Sequence, residues 1–349
     1  MLRRAVCLLF LVLSASLADA AERLTFIYYY AWYANEAYDG QWLHWQDYGH
    51  HPPRDISSSF YPKLGAYSSN DPGVVDQHMR WIAGANINAL IYSWWGRDDP
   101  TNRSAKAVLD SALDYNLSVA FLIEPYEGRT VKSICADIEY LEQTYGRHPA
   151  FFRMSRKTVN SHNREARPVF FIYQPDYTDH ELQYLNDTVH NSPNDSIVLL
   201  QSTDASLLER AHADGIFAYE AVQKIMDLYP GIAARVKALG GIFVPCVSPG
   251  FNVNKTFGKR TALFRARRMG NQYDEWWEKT LITNPEFVAV LSFNEWHEGT
   301  QIEPAIPREK PSIRRYLSYN GAFGKKGDAA QLIYLRRTAR WIDLFQQLP

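Results

Sequence analysis

Eight short runs rich in β-branched and aromatic residues recur along this 349-residue chain, and they constrain its fold more than any other feature. They lie at 24–30, 87–93, 118–123, 168–173, 196–201, 215–219, 241–247 and 287–293. Each is apolar almost throughout, which is the pattern of a strand buried on both faces. Between most of them lie stretches with helical periodicity, as at 74–85, 104–115 and 134–145. Strand, helix, strand repeated eight times predicts an α/β fold, a (β/α)8 TIM barrel. A closing helix is predicted at 329–345, where Leu332, Ile333, Leu335, Trp341, Ile342 and Phe345 recur at helical spacing. No repeat, low-complexity block or linker interrupts the pattern, so one domain over 21–349 is expected.

An open doubly wound sheet is the competing architecture, and it normally carries a Gly-rich phosphate turn after its first strand. Here that position reads Tyr29-Tyr30-Ala31-Trp32-Tyr33. The other strand ends read Ser93-Trp94-Trp95-Gly96, Glu124-Pro125-Tyr126, Tyr173-Gln174, Tyr219-Glu220 and Asn294-Glu295. In a barrel these ends converge on the C-terminal face, where active sites of the fold lie. Aromatic residues make up 14% of the chain, and many stand beside polar ones. That mixture suits sugar rings, which present apolar C–H faces rimmed by hydroxyls, although a tyrosine-rich core would give the same composition. With 37 basic against 38 acidic residues, no global field favours nucleic acid or an anionic membrane surface, and neither is an expected partner.

The first 20 residues begin with Arg3-Arg4, continue through an apolar run over 5–18 and end in Ala18-Asp19-Ala20. This describes a cleavable signal peptide over 1–20 rather than a spanning helix, which needs roughly 20 apolar residues. The expected location is the secretory lumen or the exterior, as a monomer without stable membrane insertion; retention of the segment as a Golgi signal-anchor is the alternative. Only Cys135 and Cys246 remain after cleavage, and nothing in their spacing argues for a disulfide. Five Asn-x-Ser/Thr sequons, at Asn102, Asn116, Asn186, Asn194 and Asn254, agree with a eukaryotic secretory route.

Glu295 and Glu298 lie three apart just beyond the last predicted strand. Two carboxylates near one another at an aromatic-lined strand end can be driven to different pKa values, one staying ionised and the other protonated. Glycosidic bond cleavage uses such a pair. An arbitrary Glu-x-x-Glu is more often a solvated loop, but sparse surrounding charge, the flanking Trp296 and the strand-end position argue against that here. Glu124 leaves the apolar run 119–123 at the mouth, placed to orient a sugar hydroxyl or another carboxylate, or to be satisfied by an arginine. Trp94 and Trp95 are adjacent on one strand end, so at most one faces the mouth. The segment Asp39-Gly40-Gln41-Trp42-Leu43-His44-Trp45 has the residue types of a sugar subsite or of an ordinary loop. His50-His51 lacks a spaced ligand set, and neither a metal nor a cofactor is expected.

The motifs resemble glycoside hydrolase family 99, the endo-α-1,2-mannosidases and related endo-mannanases. The strongest match is Ser292-Phe-Asn-Glu-Trp-His-Glu-Gly-Thr-Gln-Ile-Glu-Pro304. Others are Tyr28-Tyr-Tyr-Ala-Trp-Tyr33, Asp39-Gly40 with His44-Trp45, Tyr61-Pro-Lys-Leu-Gly-Ala-Tyr-Ser-Ser69, Ser93-Trp-Trp-Gly96, Ile123-Glu-Pro-Tyr126, Asp214-Gly215, Ser248-Pro-Gly250 and Arg265-x-Arg267-x-x-Gly270-x-x-Tyr273. The resemblance implies a (β/α)8 fold and endo-acting, retaining, metal-free cleavage of α-1,2-mannosidic bonds in an α-mannoside glycan. By it Glu298 would be the acid/base, and Glu295 would take the proton from the substrate's own 2-hydroxyl, so that this oxygen attacks the anomeric carbon. Tyr33, His44, Trp94, Glu124, Asn294 and position 251 would line the subsites. Phe251 stands where the family usually has tyrosine, and the aromatics of 214–220 depart from the usual pattern, both of which bear on substrate choice. A glycan-binding barrel without catalysis and a barrel glycosidase with a carboxylate nucleophile remain the alternatives.

Overall fold

The computed structural model of the chain describes residues 23–155, 166–221, 225–253, 264–308 and 316–349. The signal segment 1–20 and Asn254 lie outside the described residues. Among those described, eight parallel strands form the wall: β1 (Leu24–Tyr29), β2 (Ala89–Trp94), β3 (Ser118–Ile123), β4 (Ala166–Ile172), β5 (Ile197–Gln201), β6 (Gly215–Phe217), β7 in two pieces (Ile242–Val244 and Cys246–Val247) and β8 (Phe287–Val290). Each strand pairs in parallel with the next, and β1 also pairs with β8, with Phe26 opposite both Ala89 and Ala289. Pro245 divides β7 because it has no N–H for the ladder. The piece before it pairs with β6 and the piece after it with β8, so the two together close the barrel.

Helices follow the strands on the outside: α1 (Pro72–Ala83), α2 (Pro100–Asp114), α3 (Val131–Tyr145), α4 (Asp179–His190), the single turn α5 (Leu207–Arg210), α6 (Tyr229–Ala238), α7 (Asn271–Leu281) and α8 (Ile333–Gln346). Three of them begin before the predicted start for one reason each. Asp71 and Asp99 cap α1 and α2 with a proline directly after them, and Thr130 forms a reciprocal cap with Ser133 on α3. The predicted closing helix is α8, whose Trp341 stacks on Trp277 of α7 with ring centroids 6.2 Å apart.

Strand residues alternate between barrel interior and helix layer. On β1, Phe26 packs inside against Phe171 and Phe287, and Tyr28 meets Tyr219 edge-on at 5.1 Å. Tyr29 points outward to His78 of α1. The interior is therefore filled with rings that climb toward one end, and the next inward residue, Tyr30, forms the floor of the mouth. Cys135 on α3 and Cys246 on β7 are both free thiols. Among the described residues no helix is long and apolar enough to cross a membrane.

Candidate active site

The turn after β8 carries both candidate carboxylates, and the surrounding fold holds its backbone at many points. Phe293 N–H donates to the Tyr28 carbonyl (2.8 Å), and Ser292 N–H to the Thr300 carbonyl (3.1 Å). Ser292 Oγ accepts from Glu295 N–H at 2.9 Å. The Asn294 amide is clamped on the Tyr30 backbone, accepting its N–H and donating to its carbonyl, both at 2.8 Å. Tyr33 O–H donates to the Asn294 carbonyl and accepts from Trp296 N–H, each at 3.1 Å. Gly299 takes φ +66°, and a Cβ there would lie 3.0 Å from the Asn252 carbonyl oxygen, so glycine is needed where Asn252 closes on the turn. Asn252 N–H in turn donates to the Glu298 carbonyl at 2.6 Å.

Glu295 is 3% exposed, and its Oε1 accepts from the backbone N–H groups of His297 (2.9 Å) and Glu298 (3.4 Å). Burial drives its pKa well above the usual carboxylate range; repulsion by Glu298 adds to this and the two N–H groups oppose it. Glu298 is less enclosed, and Tyr219 donates to its Oε2 at 3.3 Å. Burial pushes its pKa up to about 7, against the Tyr219 hydrogen bond and with a contribution from Glu220. The pair therefore retains a proton near neutral pH, as acid/base chemistry on a leaving group requires. Tyr219 also meets Tyr30 hydroxyl to hydroxyl at 2.7 Å, which fixes the floor beneath Glu298.

Glu124 stands on the opposite wall at the end of β3, 3% exposed, with Ser93 donating to its Oε1 at 2.7 Å. Burial raises its pKa to about 8, while Ser93 and Arg129 pull it down. Arg129 itself donates to the carbonyls of Ile123 (3.1 Å) and Tyr173 (2.7 Å), tying the ends of β3 and β4 together.

The long connection between β1 and α1 makes another wall. Trp32 lies partly exposed over Tyr30, with Trp95 at 6.0 Å and His44 stacked on it at 4.6 Å. His44 adopts φ +64° and its Nδ1 is 3.3 Å from Asp47. The connection is pinned at its base by the Ala34–Leu43 bridge and by the Trp45 indole N–H on the Tyr67 carbonyl at 2.7 Å. Its tip carries Tyr48, which is exposed. His44, Asp47 and His297 place three ligating atoms within 4.8 Å of one another. His297 Nε2, however, sits 2.7 Å from the His44 carbonyl and so donates to it, which removes that nitrogen as a ligand. The trio straps the loop to the catalytic turn.

Of the six predicted sugar-lining residues, His44 and Glu124 stand at the mouth, and Phe251 is partly exposed on the two-stranded ribbon of Phe251–Asn252 and Phe264–Arg265. The other three are buried in the structure. Trp94 is fully buried outside the barrel, its indole N–H on Asn102 of α2 at 3.0 Å, because Ser93 takes the inward position and strand neighbours alternate. Trp95 turns to the mouth instead and donates to Ser93 Oγ at 3.0 Å. Tyr33 and Asn294 are buried with their polar atoms engaged on the turn that carries Glu295 and Glu298. Trp32, Trp95 and Tyr219 were absent from the predicted set, although each belongs to a strand-end cluster visible in the sequence.

The model of glycosyl hydrolase family 99 matches residues 20–347. The chain belongs to that family. Glycoprotein endo-alpha-1,2-mannosidase of Mus musculus is 32% identical over 357 residues, covering 92% of this chain and 74% of the mouse protein. The endo-alpha-1,2-mannosidase-like protein of Homo sapiens is 32% identical, with 91% and 75% covered. A solved family 99 endo-alpha-mannosidase from Bacteroides thetaiotaomicron superposes with a TM-score of 0.81 at 32% identity, covering 93% of this chain and 97% of that one. As a family 99 protein the chain is a glycoside hydrolase, and its mouth, with carboxylates on opposite walls over a tyrosine floor, is built for that chemistry.

Proposed function

We propose that this family 99 enzyme cleaves internal α-1,2-mannosidic bonds of high-mannose N-glycans or α-mannan with retention of configuration. It would act in the secretory lumen or outside the cell, as a monomeric single domain over 21–349 freed of residues 1–20. The observation that carries the reading is the unequal treatment of two carboxylates on one turn. Burial raises both pKa values, but Glu295 Oε1 takes two backbone N–H groups, which offset part of that rise and are placed to hold its ionised form. Glu298, pushed up to about 7, stands on the more open side with, among the described residues, only Tyr219 as donor. The relatives named above carry endo-alpha-mannosidase names, and the match runs the length of the mature chain.

In the first step Glu295 takes the proton of the substrate 2-hydroxyl, and that oxygen bonds to the anomeric carbon. The glycosidic C–O bond breaks, and the departing oxygen takes the proton of Glu298. In the second step Glu298 takes a proton from water, whose oxygen attacks the anomeric carbon. The strained C–O2 bond breaks, and O2 recovers its proton from Glu295. Each step inverts the anomeric carbon, so the two together return the new C–O bond to the original face, and no metal is needed to balance either.

The test is product analysis on paired glucosylated and unglucosylated high-mannose glycans, with anomers read by NMR. Release of an α-configured di- or oligosaccharide is expected, and Glu298→Gln is expected to lose at least about a thousandfold in turnover while still binding glycan. Single mannoses, inverted product, a glycosyl ester trapped on Glu295, or glycan binding with no turnover at any pH would each overturn it.

A further inference from the structure

Beneath the turn of Glu295 and Glu298 lies a further carboxyl group, fully shut off from the mouth. Glu303 is 0% exposed, and its Oε2 accepts from the Trp296 indole N–H at 2.9 Å and from Tyr67 O–H at 2.8 Å. Its Oε1 lies 3.3 Å from His78 Nε2, and among the described residues neither of those two atoms makes a hydrogen bond. His78, also 0% exposed, meets Tyr29 O–H with its other nitrogen at 3.1 Å. The Tyr67 hydroxyl further receives the Asn294 amide N–H at 3.2 Å. Glu303 is thus where α1, β1 and the Tyr67 segment reach the underside of the Asn294–Trp296 backbone.

The geometry points to Glu303 as the positioning residue of the catalytic turn, acting through the Trp296 indole and backed by His78. This rests on the role given to Glu295 above. Trp296 directly follows Glu295, and its N–H closes back on the Asn294 carbonyl at 3.0 Å around Glu295, so an indole held at 296 fixes the short piece of backbone from which the Glu295 carboxylate stands. Trp296 and Tyr67 both need an acceptor at Oε2. Glutamine can supply one, with its amide toward His78 Nε2 in the tautomer protonated on Nδ1, whereas Glu303→Leu deletes the acceptor outright. Trp296→Phe deletes the indole N–H together with part of a buried ring, so it is read beside Tyr67→Phe, which deletes one hydroxyl and leaves the ring in place.

Trp296→Phe, Tyr67→Phe, Glu303→Leu and the Trp296→Phe/Glu303→Leu double variant are to be compared for kcat, KM and melting temperature on an α-1,2-mannoside oligosaccharide, with Glu295→Gln and Glu298→Gln alongside. Trp296→Phe is expected to lower kcat about 10- to 100-fold with KM within about twofold, and Tyr67→Phe to lower kcat with the melting temperature within about 4 °C. The double variant is expected to be no slower than Glu303→Leu alone, since both remove one coupling. Wild-type kcat in both Trp296→Phe and Tyr67→Phe, or losses that multiply in the double variant, would overturn the inference. Should Glu303→Leu not fold, Trp296→Phe and Tyr67→Phe decide it, because each leaves the buried carboxyl in place. Turnover retained by Glu295→Gln would instead sink the catalytic assignment, so the two failures are distinguishable.

Discussion

Replacing Glu124 by glutamine is expected to make the enzyme progressively more stable than the wild type as pH rises. Glu124 is buried, and its carboxyl keeps a proton to about pH 8 in the folded chain against 4.5 for the ordinary group. Between those limits the folded state binds more protons than the unfolded state, so stability falls with rising pH. The fall is about 1.4 kcal/mol per pH unit where the difference is a full proton, or about 3 to 5 kcal/mol over the whole interval. Glutamine preserves the Ser93 hydrogen bond to Oε1 and cannot ionise, so it removes this contribution and leaves those of Glu295 and Glu298 in both proteins. The assay is the difference in melting temperature between variant and wild type, scanned from pH 5 to pH 9. Near pH 5 both carry a neutral group and the difference is expected to be small. By pH 8.5 the variant is expected to melt about 5 °C or more higher, at roughly 2 °C per kcal/mol for a domain of this size. A difference that stays flat across the range, or that favours the wild type at high pH, would refute burial as the cause of the raised pKa.

Tyr219→Phe removes the hydrogen bond that lowers the Glu298 pKa; the alkaline limb of kcat is expected to move to higher pH, read from a pH–rate profile, and an unmoved or lowered limb would contradict it. Trp94→Ala is expected to cost about 3 to 5 kcal/mol of stability with KM little changed, whereas Trp95→Ala is expected to raise KM with a smaller loss of stability; the reverse pattern would restore Trp94 to the mouth. Asn116 is exposed, while Asn186 is 0% exposed and gives both amide hydrogens to carbonyls of Leu182 and Ala211 at 2.8 Å. Glycopeptide mass spectrometry of protein from a eukaryotic secretory host is expected to find glycan at Asn116 and none at Asn186, and a fully occupied Asn186 in folded enzyme would contradict the packing.

The barrel was legible because buried parallel strands leave long apolar runs, and all eight runs became strands. Their ends were less so. Helices α1 and α2 start at Asp71-Pro72 and Asp99-Pro100, where cap and proline lie outside the apolar period that marked the helices. The candidate carboxylates were legible from their strand end and the motif around them. The sugar-lining set was read less well, because which of two adjacent residues faces inward depends on strand register. Trp94 and Trp95 exchanged places for that reason. Asn294 and Tyr33 look in sequence like ligand-binding residues, yet the long-range contacts that occupy their polar atoms, to Tyr30 and Trp296, exist only in the folded chain. Glu303 lies inside the Ser292–Pro304 motif, but its place was not legible there, since its partners Tyr67 and His78 lie more than 220 residues away.

The connection between β1 and α1 is fastened at its base by the Ala34–Leu43 bridge and the Trp45 indole, and its outer part by the Tyr61 and Tyr316 hydroxyls on the carbonyls of Pro53 and Arg54. It also touches the turn of the candidate carboxylates, through His44 and Asp47 on His297. A change at Asp47 is therefore felt at Glu295 through its neighbour His297, whereas Tyr48, exposed at the tip, can be altered with those fastenings kept. An engineer reshaping this rim would begin at Tyr48 and leave Asp47 alone.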